Sequence, residues 1–302
     1  MSENFYRFGL VGYPLDHSLS PQLHQAALEA LGLAGEYRLY PISPCEEDES
    51  ALRDLLRQMR NGVIHGLNVT IPYKQRIISL LDVLTPDARA IGAVNTIYQR
   101  DGILTGENTD AAGFLADVGR YADKCGKALV LGAGGAARAV VYALASAWKR
   151  VYVAARRLEQ AQELADDLRL HITGAECSIT PLSLDTQSVR QIKDECDLIV
   201  NATPLGMVPD IESNPWPEGE PLPKNAVIYD LVYNPSITAL VRSGRAGGGV
   251  AVSGLGMLIE QAGLAFECWT GKKPPGKSMF QALPSGQVSE RIVYANTLFD
   301  IR

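Results

Sequence analysis

Short apolar runs of strand length alternate with longer helical patterns along almost the whole chain. The predicted strands are residues 8–13, 37–42, 63–70, 93–99, 103–107, 127–131, 149–155, 177–181, 198–202, 226–232 and 250–253. The predicted helices are residues 21–31, 50–60, 73–84, 110–124, 139–148, 158–168, 189–195, 236–242 and 254–269, with a short last helix after residue 277. The strands at 93–99 and 103–107, separated by Asp-Gly, form a predicted hairpin.

This alternation is typical of α/β proteins, in which helices cover a largely parallel sheet. The chain has 302 residues, more than a single domain usually contains. We therefore predict two doubly wound α/β domains, the second a Rossmann-type dinucleotide-binding domain, with a ligand site in an interdomain cleft. The second domain is placed at residues 111–254, and the first at 1–110 plus 255–302.

A glycine-rich turn separates a strand from a helix in the second domain. The run 127–131 is followed by Gly132-Ala-Gly-Gly-Ala-Ala-Arg138, and a helical pattern begins directly afterwards. Glycine permits a tight turn and lets backbone N–H groups approach phosphate oxygens at a helix N-terminus. This context favours a pyrophosphate site over a purely structural turn. The predicted cofactor-binding residues of the turn are Gly132, Ala133, Gly134, Gly135 and Ala136.

The end of the next strand indicates which dinucleotide binds. An NAD site usually has a carboxylate there for the ribose hydroxyls, but the strand ends in Arg156-Arg157 and the first acid is Glu159. Two guanidinium groups suit a 2′-phosphate, which they can hold by charge-assisted hydrogen bonds. We predict NADP as the cofactor. The alternative for either arginine is a solvated corner between strand and helix.

Polar side chains follow two strands of the first domain. Ser18 and Ser20 come after the first strand, at the edge where open α/β sheets bind ligands. Ser20 could equally cap the helix that follows, whereas Ser18 is less well placed for capping. The alternation of residues 67–70 puts Asn68 and Thr70 on one face, where they suit either a hydroxylated ligand or solvent.

Three further residues are candidates for binding or proton transfer. Asn95 stands between apolar residues, where an amide needs a partner, either backbone or ligand. Lys74 follows Pro72 and is predicted in a first helical turn, where the helix dipole disfavours a cation and so favours proton release. A surface lysine is the alternative. Asp110 opens a predicted helix, where aspartate is commonly a cap.

Composition narrows the classes of protein that the chain can represent. It has 28 basic and 34 acidic residues and a net charge of −6, which disfavours nucleic acids and membranes as partners. The N-terminal residues lack the apolar core of a signal peptide. Five cysteines are scattered without a Cys-x-x-Cys pair, and four histidines lack metal-ligand spacing. We expect a cytoplasmic protein with reduced thiols and no metal.

Ordered motifs across nearly the whole chain resemble those of the shikimate dehydrogenase family. They are Ser18-Leu-Ser-Pro21, Leu67-Asn-Val-Thr-Ile-Pro-Tyr-Lys74, Gly92-Ala-Val-Asn-Thr96, Gly106-Glu-Asn-Thr-Asp110, the glycine turn, Asn201-Ala-Thr-Pro-Leu-Gly-Met207, Tyr229-Asp-Leu-Val-Tyr-Asn-Pro235 and Gly254-Leu-Gly-Met-Leu-Ile-Glu-Gln261. The resemblance implies reversible reduction of 3-dehydroshikimate to shikimate by NADPH, in aromatic amino acid biosynthesis. We expect a monomer or homodimer, a choice that the sequence does not make.

The resemblance also implies a role for each candidate residue. Lys74 would transfer the proton, with Asp110 beside it. The substrate carboxylate would bind to Ser18, Ser20 and Tyr233, and the ring hydroxyls would lie against Asn68, Thr70, Asn95, Asp110 and Gln261. Leu231 and Gly254 would contact the nicotinamide half of the cofactor.

Other functions remain open at this point. The nearest is a quinate/shikimate dehydrogenase that uses NAD or both cofactors, although the pair Ser18 and Ser20 fits shikimate better. Dehydrogenases of amino-shikimate compounds and non-catalytic metabolite sensors are further alternatives. The chain departs from the family pattern at Ala155-Arg156-Arg157, where Asn-Arg-Thr is common, and the tail 284–302 has no assigned role.

Overall fold

The structure is a computed structural model, and it describes residues 5–45, 47–122, 126–172 and 177–284. Within them the chain forms two compact units, residues 5–109 with 259–284, and residues 110–258. The divisions fall at 109/110 and 258/259, whereas the sequence-based division was at 110/111 and 254/255. The assignment of residues 285–302 to the first domain lies outside the described residues.

The first unit is built on a mixed sheet. Its elements are β1 (Tyr6–Gly12), α1 (Ser20–Ala30), β2 (Gly35–Pro41), α2 (Asp48–Arg60), β3 (Gly66–Val69), β4 (Val83–Leu84), α3 (Pro86–Ile91), β5 (Thr96–Arg100) and β6 (Ile103–Glu107). Within the described residues this sheet has six strands in the order β2-β1-β3-β5-β6-β4. β1 pairs in parallel with β2 and β3, and β5 runs antiparallel to β3 and β6, which confirms the hairpin.

The predicted helix at residues 73–84 is wrong. The chain forms a turn around Lys74, a short 3₁₀ helix at Arg76–Leu80 and then β4, which pairs in parallel with β6. Its apolar residues fit a helical period, but they are shared between these two short elements, and Ile77 is buried in the core. Thr85 then caps α3, which the sequence analysis missed, by accepting a hydrogen bond from the N–H of Ala88.

The second unit has a parallel sheet of Rossmann order. Its elements are α4 (Thr109–Val118), β7 (Lys127–Leu131), α5 (Gly135–Ala145), β8 (Arg150–Ala155), α6 (Leu158–Arg169), β9 (Ser178–Ser183), α7 (Thr186–Ile192), β10 (Leu198–Asn201), β11 (Val227–Asp230), α8 (Ala239–Ala246) and β12 (Ala251–Ser253). The order β12-β11-β10-β7-β8-β9 among the described residues is the dinucleotide-binding order. The predicted fold class, two α/β domains with a Rossmann-type second domain, is confirmed.

Two helices follow β12 and complete the described chain. They are α9 (Leu255–Thr270) and α10 (Gly276–Gln281). Residues 259–270 of α9 belong to the first unit, where Trp269 donates a hydrogen bond to the backbone oxygen of Ile97 at 3.0 Å. Its indole also lies so close to Gly66 that a Cβ at that position would approach the ring within 2.4 Å. A glycine in β3 is therefore needed for this close packing.

Two kinds of feature are absent from the described residues, namely a membrane-spanning helix and a cluster of metal ligands. None of their helices is both long and apolar enough to cross a bilayer. Nor do they contain a group of three or more His, Cys, Asp or Glu side chains that could hold a metal ion. Cys45, Cys177, Cys196 and Cys268 are free thiols, and Cys125 lies outside the described residues.

Candidate active site

The candidate substrate site begins where β1 and β3 end. The chain leaving β1 is bonded to the chain leaving β3, because Tyr13 donates its N–H to the oxygen of Ile71 at 2.8 Å. Thr70 in turn donates its N–H to the oxygen of Val11 at 2.9 Å. The segments that carry the predicted residues Ser18 and Thr70 therefore start side by side at one edge of the sheet.

The two serines differ from the sequence-based interpretation. Ser20 is the first residue of α1 and not its cap, since Leu19 occupies the cap position without a side-chain hydrogen bond. Ser18, which was thought poorly placed for capping, accepts the backbone N–H of Ser20 on its Oγ at 3.3 Å. Ser18 thus organises the first turn of α1, and its hydroxyl hydrogen is not used in this local bond.

Three of the predicted amides form one buried network. Asn95 donates from Nδ2 to Oε1 of Gln261 at 3.2 Å and to Oγ1 of Thr109 at 2.9 Å. Asn68 donates from Nδ2 to the backbone oxygen of Asn95 at 3.2 Å. Asn68 and Asn95 are buried, and Gln261, on α9, is 9% exposed. The network brings residues from β3, the segment before β5, and α9 together in the first unit, as Asn95's need for a partner indicated.

Sequence analysis missed the residues that hold this network in place. Thr109 donates its backbone N–H to Oδ1 of Asn95 at 2.8 Å, and Thr96 donates from Oγ1 to the same oxygen at 3.1 Å. Asn108 donates from Nδ2 to the oxygen of Ala93 at 2.8 Å. All three side chains are buried. The signal available in the sequence was their place in the motifs at residues 92–96 and 106–110.

Lys74 lies in a turn and not in a helix, so the helix-dipole argument for its proton release is wrong. The turn is held next to Asn95, because Val94 donates its N–H to the backbone oxygen of Lys74 at 2.7 Å. The Lys74 side chain is half-buried. Asp110 is the second residue of α4, so it does not cap the helix, and its side chain is buried.

The glycine turn of the second unit has the predicted strand–turn–helix context. Gly132 has a φ of +109°, a conformation that favours glycine. A Cβ there would also lie 3.1 Å from the backbone oxygen of Ala202, at the point between β7 and β10 where the strand order reverses. Gly134 precedes α5, and a Cβ on it would meet nothing within 4 Å. There is therefore free space beside Gly134, directly before the N-terminus of α5.

Arg156 and Arg157 follow β8 and are exposed. Arg157 occupies the cap position of α6 without a side-chain cap bond. Among the described residues, neither guanidinium has a hydrogen-bond or ion-pair partner. Glu159 lies in the first turn of α6. Two unpaired guanidinium groups at this strand end fit a phosphate ester better than a pair of ribose hydroxyls.

Leu231 and Gly254 are neighbours at the ends of β11 and β12. A Cβ on Gly254 would stand 2.4 Å from the backbone oxygen of Leu231, so only glycine allows this approach. Gly254 also donates its N–H to the oxygen of Val232 at 3.3 Å. Tyr233 follows in the same segment and is half-buried. The structure therefore places Leu231 and Gly254, the two residues predicted to contact the nicotinamide, next to each other.

A buried carboxylate that the sequence analysis overlooked supports this segment. Asp230 accepts hydrogen bonds from Nδ2 of Asn201 at 2.8 Å, the N–H of Val232 at 3.0 Å and Oγ1 of Thr238 at 2.6 Å. Burial raises the pKa of Asp230 to about 6, against the opposing effect of these donors. The carboxylate joins the ends of β10 and β11 to the cap of α8.

A parallel sheet of Rossmann order with a glycine turn at its switch point defines the class of dinucleotide-binding α/β proteins. Two family models match this chain. Residues 10–97 match the shikimate dehydrogenase substrate binding domain, and residues 254–283 match the shikimate 5'-dehydrogenase C-terminal domain.

Relatives align over nearly the full chain. The shikimate dehydrogenase (NADP(+)) of Salinibacter ruber is 41% identical over 280 residues, which cover 91% of this chain and 95% of that protein. The shikimate 5-dehydrogenase of Thermus thermophilus, solved with NADP(H) and shikimate, has a TM-score of 0.79 and 39% identity, covering 92% and 98% of the two chains. A quinate dehydrogenase from Corynebacterium glutamicum, solved with NAD, has a TM-score of 0.81 and 32% identity, covering 92% and 99%. The chain belongs to the shikimate dehydrogenase family, which confirms the resemblance.

Proposed function

We propose that this protein catalyses the reversible reduction of 3-dehydroshikimate to shikimate with NADPH. The observation that carries the proposal is the buried network of Asn68, Asn95 and Gln261 beside the Lys74 turn. Neutral amides held in fixed orientations suit a ligand with several hydroxyl groups. NADPH, when bound, supplies the hydride for the ketone carbon, and the ketone oxygen needs a proton from the protein.

The carboxylate of the substrate is assigned to Ser18, Ser20 and Tyr233. Ser18 accepts the N–H of Ser20, so its own hydroxyl hydrogen can be donated to an anion. Ser20 lies at the first position of α1, where the helix dipole favours negative charge. These are neutral donors, and the assignment therefore needs no arginine at the carboxylate.

The ring hydroxyls are assigned to the amide network, Thr70 and Asp110. Asn95 fixes the position of Gln261 by donating to its Oε1, and it is itself fixed by Thr109 and Thr96. A substrate hydroxyl group that binds to these side chains exchanges its hydrogen bonds with water for hydrogen bonds with the protein. A substrate that lacks such a hydroxyl leaves buried polar groups unsatisfied, which is the stronger source of discrimination.

Proton transfer is assigned to Lys74, with Asp110 as its partner. The turn that carries Lys74 is anchored by the Val94 hydrogen bond, so the backbone of Lys74 is held next to that of Asn95. In the reduction direction, Lys74 gives a proton to the oxygen that becomes the hydroxyl. In the oxidation direction, it takes that proton back.

The cofactor is assigned to the second unit. The amides of Gly135 and Ala136, at the start of α5, suit the pyrophosphate, and the open space beside Gly134 admits it. The turn residues Gly132 and Ala133 form the entry to this helix. Arg156 and Arg157 would hold the 2′-phosphate, and Leu231 and Gly254 would contact the nicotinamide. The residues present therefore fit NADP.

The proposal also assigns a role to each domain and a cellular location and oligomeric state to the enzyme. Residues 1–110 with 255–302 would bind the substrate, and residues 111–254 the cofactor, which agrees with the description of the family model at residues 10–97. We place the enzyme in the cytoplasm as a monomer or homodimer. The four described free thiols suit a reducing compartment, and light scattering of the purified protein would settle its oligomeric state.

The substitution Lys74→Ala tests the assignment of the proton-transferring residue. It should lower kcat by about 10²-fold or more, the usual contribution of a positioned acid–base group, while the Kd for shikimate changes by only about a few-fold. The measurements are steady-state kinetics and a shikimate titration. The matched control is Gln75→Ala in the same turn, which should keep full turnover. Equal losses in binding and turnover for Lys74→Ala would remove its catalytic role.

A further inference from the structure

The orientation of the Asn68 side-chain amide is defined by its neighbours. The backbone oxygen of Asn95 can only accept a hydrogen bond, so the amide atom 3.2 Å away is the nitrogen Nδ2. The second hydrogen of Nδ2 is donated to Oγ1 of Thr96 at 3.2 Å. Thr96 accepts it because its own hydrogen goes to Oδ1 of Asn95. Both amide hydrogens of Asn68 are therefore committed within the protein.

The oxygen of the same amide has its own partner on β2. The hydroxyl of Tyr37 lies 2.8 Å from Oδ1 of Asn68, and it is the donor because Oδ1 can only accept. This is the shortest of the hydrogen bonds that Asn68 makes through its side chain in the described structure. Oδ1 keeps a second lone pair, which is the remaining hydrogen-bonding capacity of the Asn68 side chain.

The Tyr37 ring is held flat against a buried histidine. His24 lies one helical turn after Ser20 on α1, and its ring stacks on Tyr37 with centroids 4.4 Å apart and an interplanar angle of 2°. His24 is 0% exposed, and neither ring nitrogen has a hydrogen-bond partner among the described residues. Burial lowers the pKa of His24 to about 3, although the Asn68 side chain opposes part of the shift. The imidazole is therefore neutral near pH 7 and packs as an aromatic ring.

We infer that Tyr37, stacked on His24, is a positioning residue that fixes Asn68 for a ligand hydroxyl. The inference rests on the proposed function and deepens it. Tyr37 holds the amide oxygen, while Asn95 and Thr96 hold the amide nitrogen. Asn68 thus meets the ligand as a hydrogen-bond acceptor. It binds a hydroxyl group, which can donate, and it discriminates against a carbonyl oxygen, which cannot.

The substitution Tyr37→Phe removes the hydroxyl and keeps the ring on His24. We expect the KM for shikimate to rise about tenfold, as is common when the partner that orients a binding group is lost. The KM for NADP should stay within about twofold, and the melting temperature of the variant should fall by only about a few degrees. The matched control is Tyr40→Phe on the same strand, whose hydroxyl has no hydrogen bond with a described residue. This control should have wild-type KM values.

A double-mutant cycle separates positioning from general damage. If Tyr37 acts through Asn68, Tyr37→Phe should change the KM for shikimate less than about twofold in an Asn68→Ala background. A full tenfold effect in that background would overturn the inference, and so would a wild-type KM in the single variant. Wild-type turnover of shikimate tests the proposed function separately. An active wild type with an unaffected Tyr37→Phe variant would refute the positioning role alone.

Discussion

At the scale of single residues, the proposed preference for NADP rests on two exposed arginines. Arg156 and Arg157 stand at the end of β8, and neither guanidinium is engaged by a described side chain. The flanking asparagine and threonine that are common in the family are replaced here by Ala155 and Arg157. In the proposed site, the guanidinium groups would supply the charged contacts to the 2′-phosphate, because neither neighbour of Arg156 in the sequence has a neutral side-chain donor.

The substitution Arg156→Ala should weaken NADP binding selectively. A hydrogen bond between charged groups is worth about 1.5–3 kcal/mol, so the KM for NADP should rise about tenfold or more while the KM for NAD barely changes. Steady-state kinetics with both cofactors at saturating shikimate measure this. Arg53→Ala on α2, an exposed arginine paired with Glu49, serves as a control. A parallel rise for NAD would place the phosphate contact elsewhere.

At the scale of elements, sequence periodicity predicted long regular segments and failed at short ones. The hydrophobic pattern predicted the strands β7 and β8 and the helices α6 and α9, because each of these segments buries one face or its whole length. Residues 73–84 read as one helix because apolar spacing alone cannot distinguish a helix from a 3₁₀ turn followed by a two-residue strand. The strand β4 pairs with β6. The spacing of apolar residues within one segment cannot predict such a contact with another segment.

Helix α1 carries a buried histidine that should make the first unit acid-sensitive. His24 has a folded-state pKa of about 3, below the value of 6.5 in the unfolded chain. The unfolded state therefore gains a proton as the pH falls through 6.5, whereas the folded state does not, and stability is lost between pH 6.5 and 3. With 1.36 kcal/mol for each pH unit, the loss attributable to His24 between pH 7 and pH 5 is about 2 kcal/mol.

The variant His24→Phe keeps the stacked ring and removes the titration. Chemical unfolding at pH 7 and pH 5 should show that wild type loses about 2 kcal/mol more than this variant over the interval. His171→Gln replaces an exposed histidine and should behave like wild type. If His24→Phe and wild type lose the same free energy of unfolding, then His24 takes up no proton on unfolding in this range.

At the scale of the whole molecule, strand order brings distant motifs to shared edges. In the second unit, β7 and β10 end side by side, as do β11 and β12, so Gly132 lies against Ala202 and Gly254 lies against Leu231 although the sequence separates the members of each pair. The alternation of elements was enough to predict this arrangement. The partners of Asn68 and the three donors around Asp230 were not predictable, because each depends on how side chains from different strands meet in three dimensions.

The most direct test of the whole account is shikimate oxidation by the purified protein, followed by nicotinamide absorbance. NADP and NAD are compared at equal concentrations, and quinate is measured in parallel. The account predicts turnover of shikimate with NADP, much slower turnover with NAD and little oxidation of quinate. Turnover mainly with quinate or NAD would contradict the assigned specificity, and no turnover with any pair would contradict the proposed reaction itself.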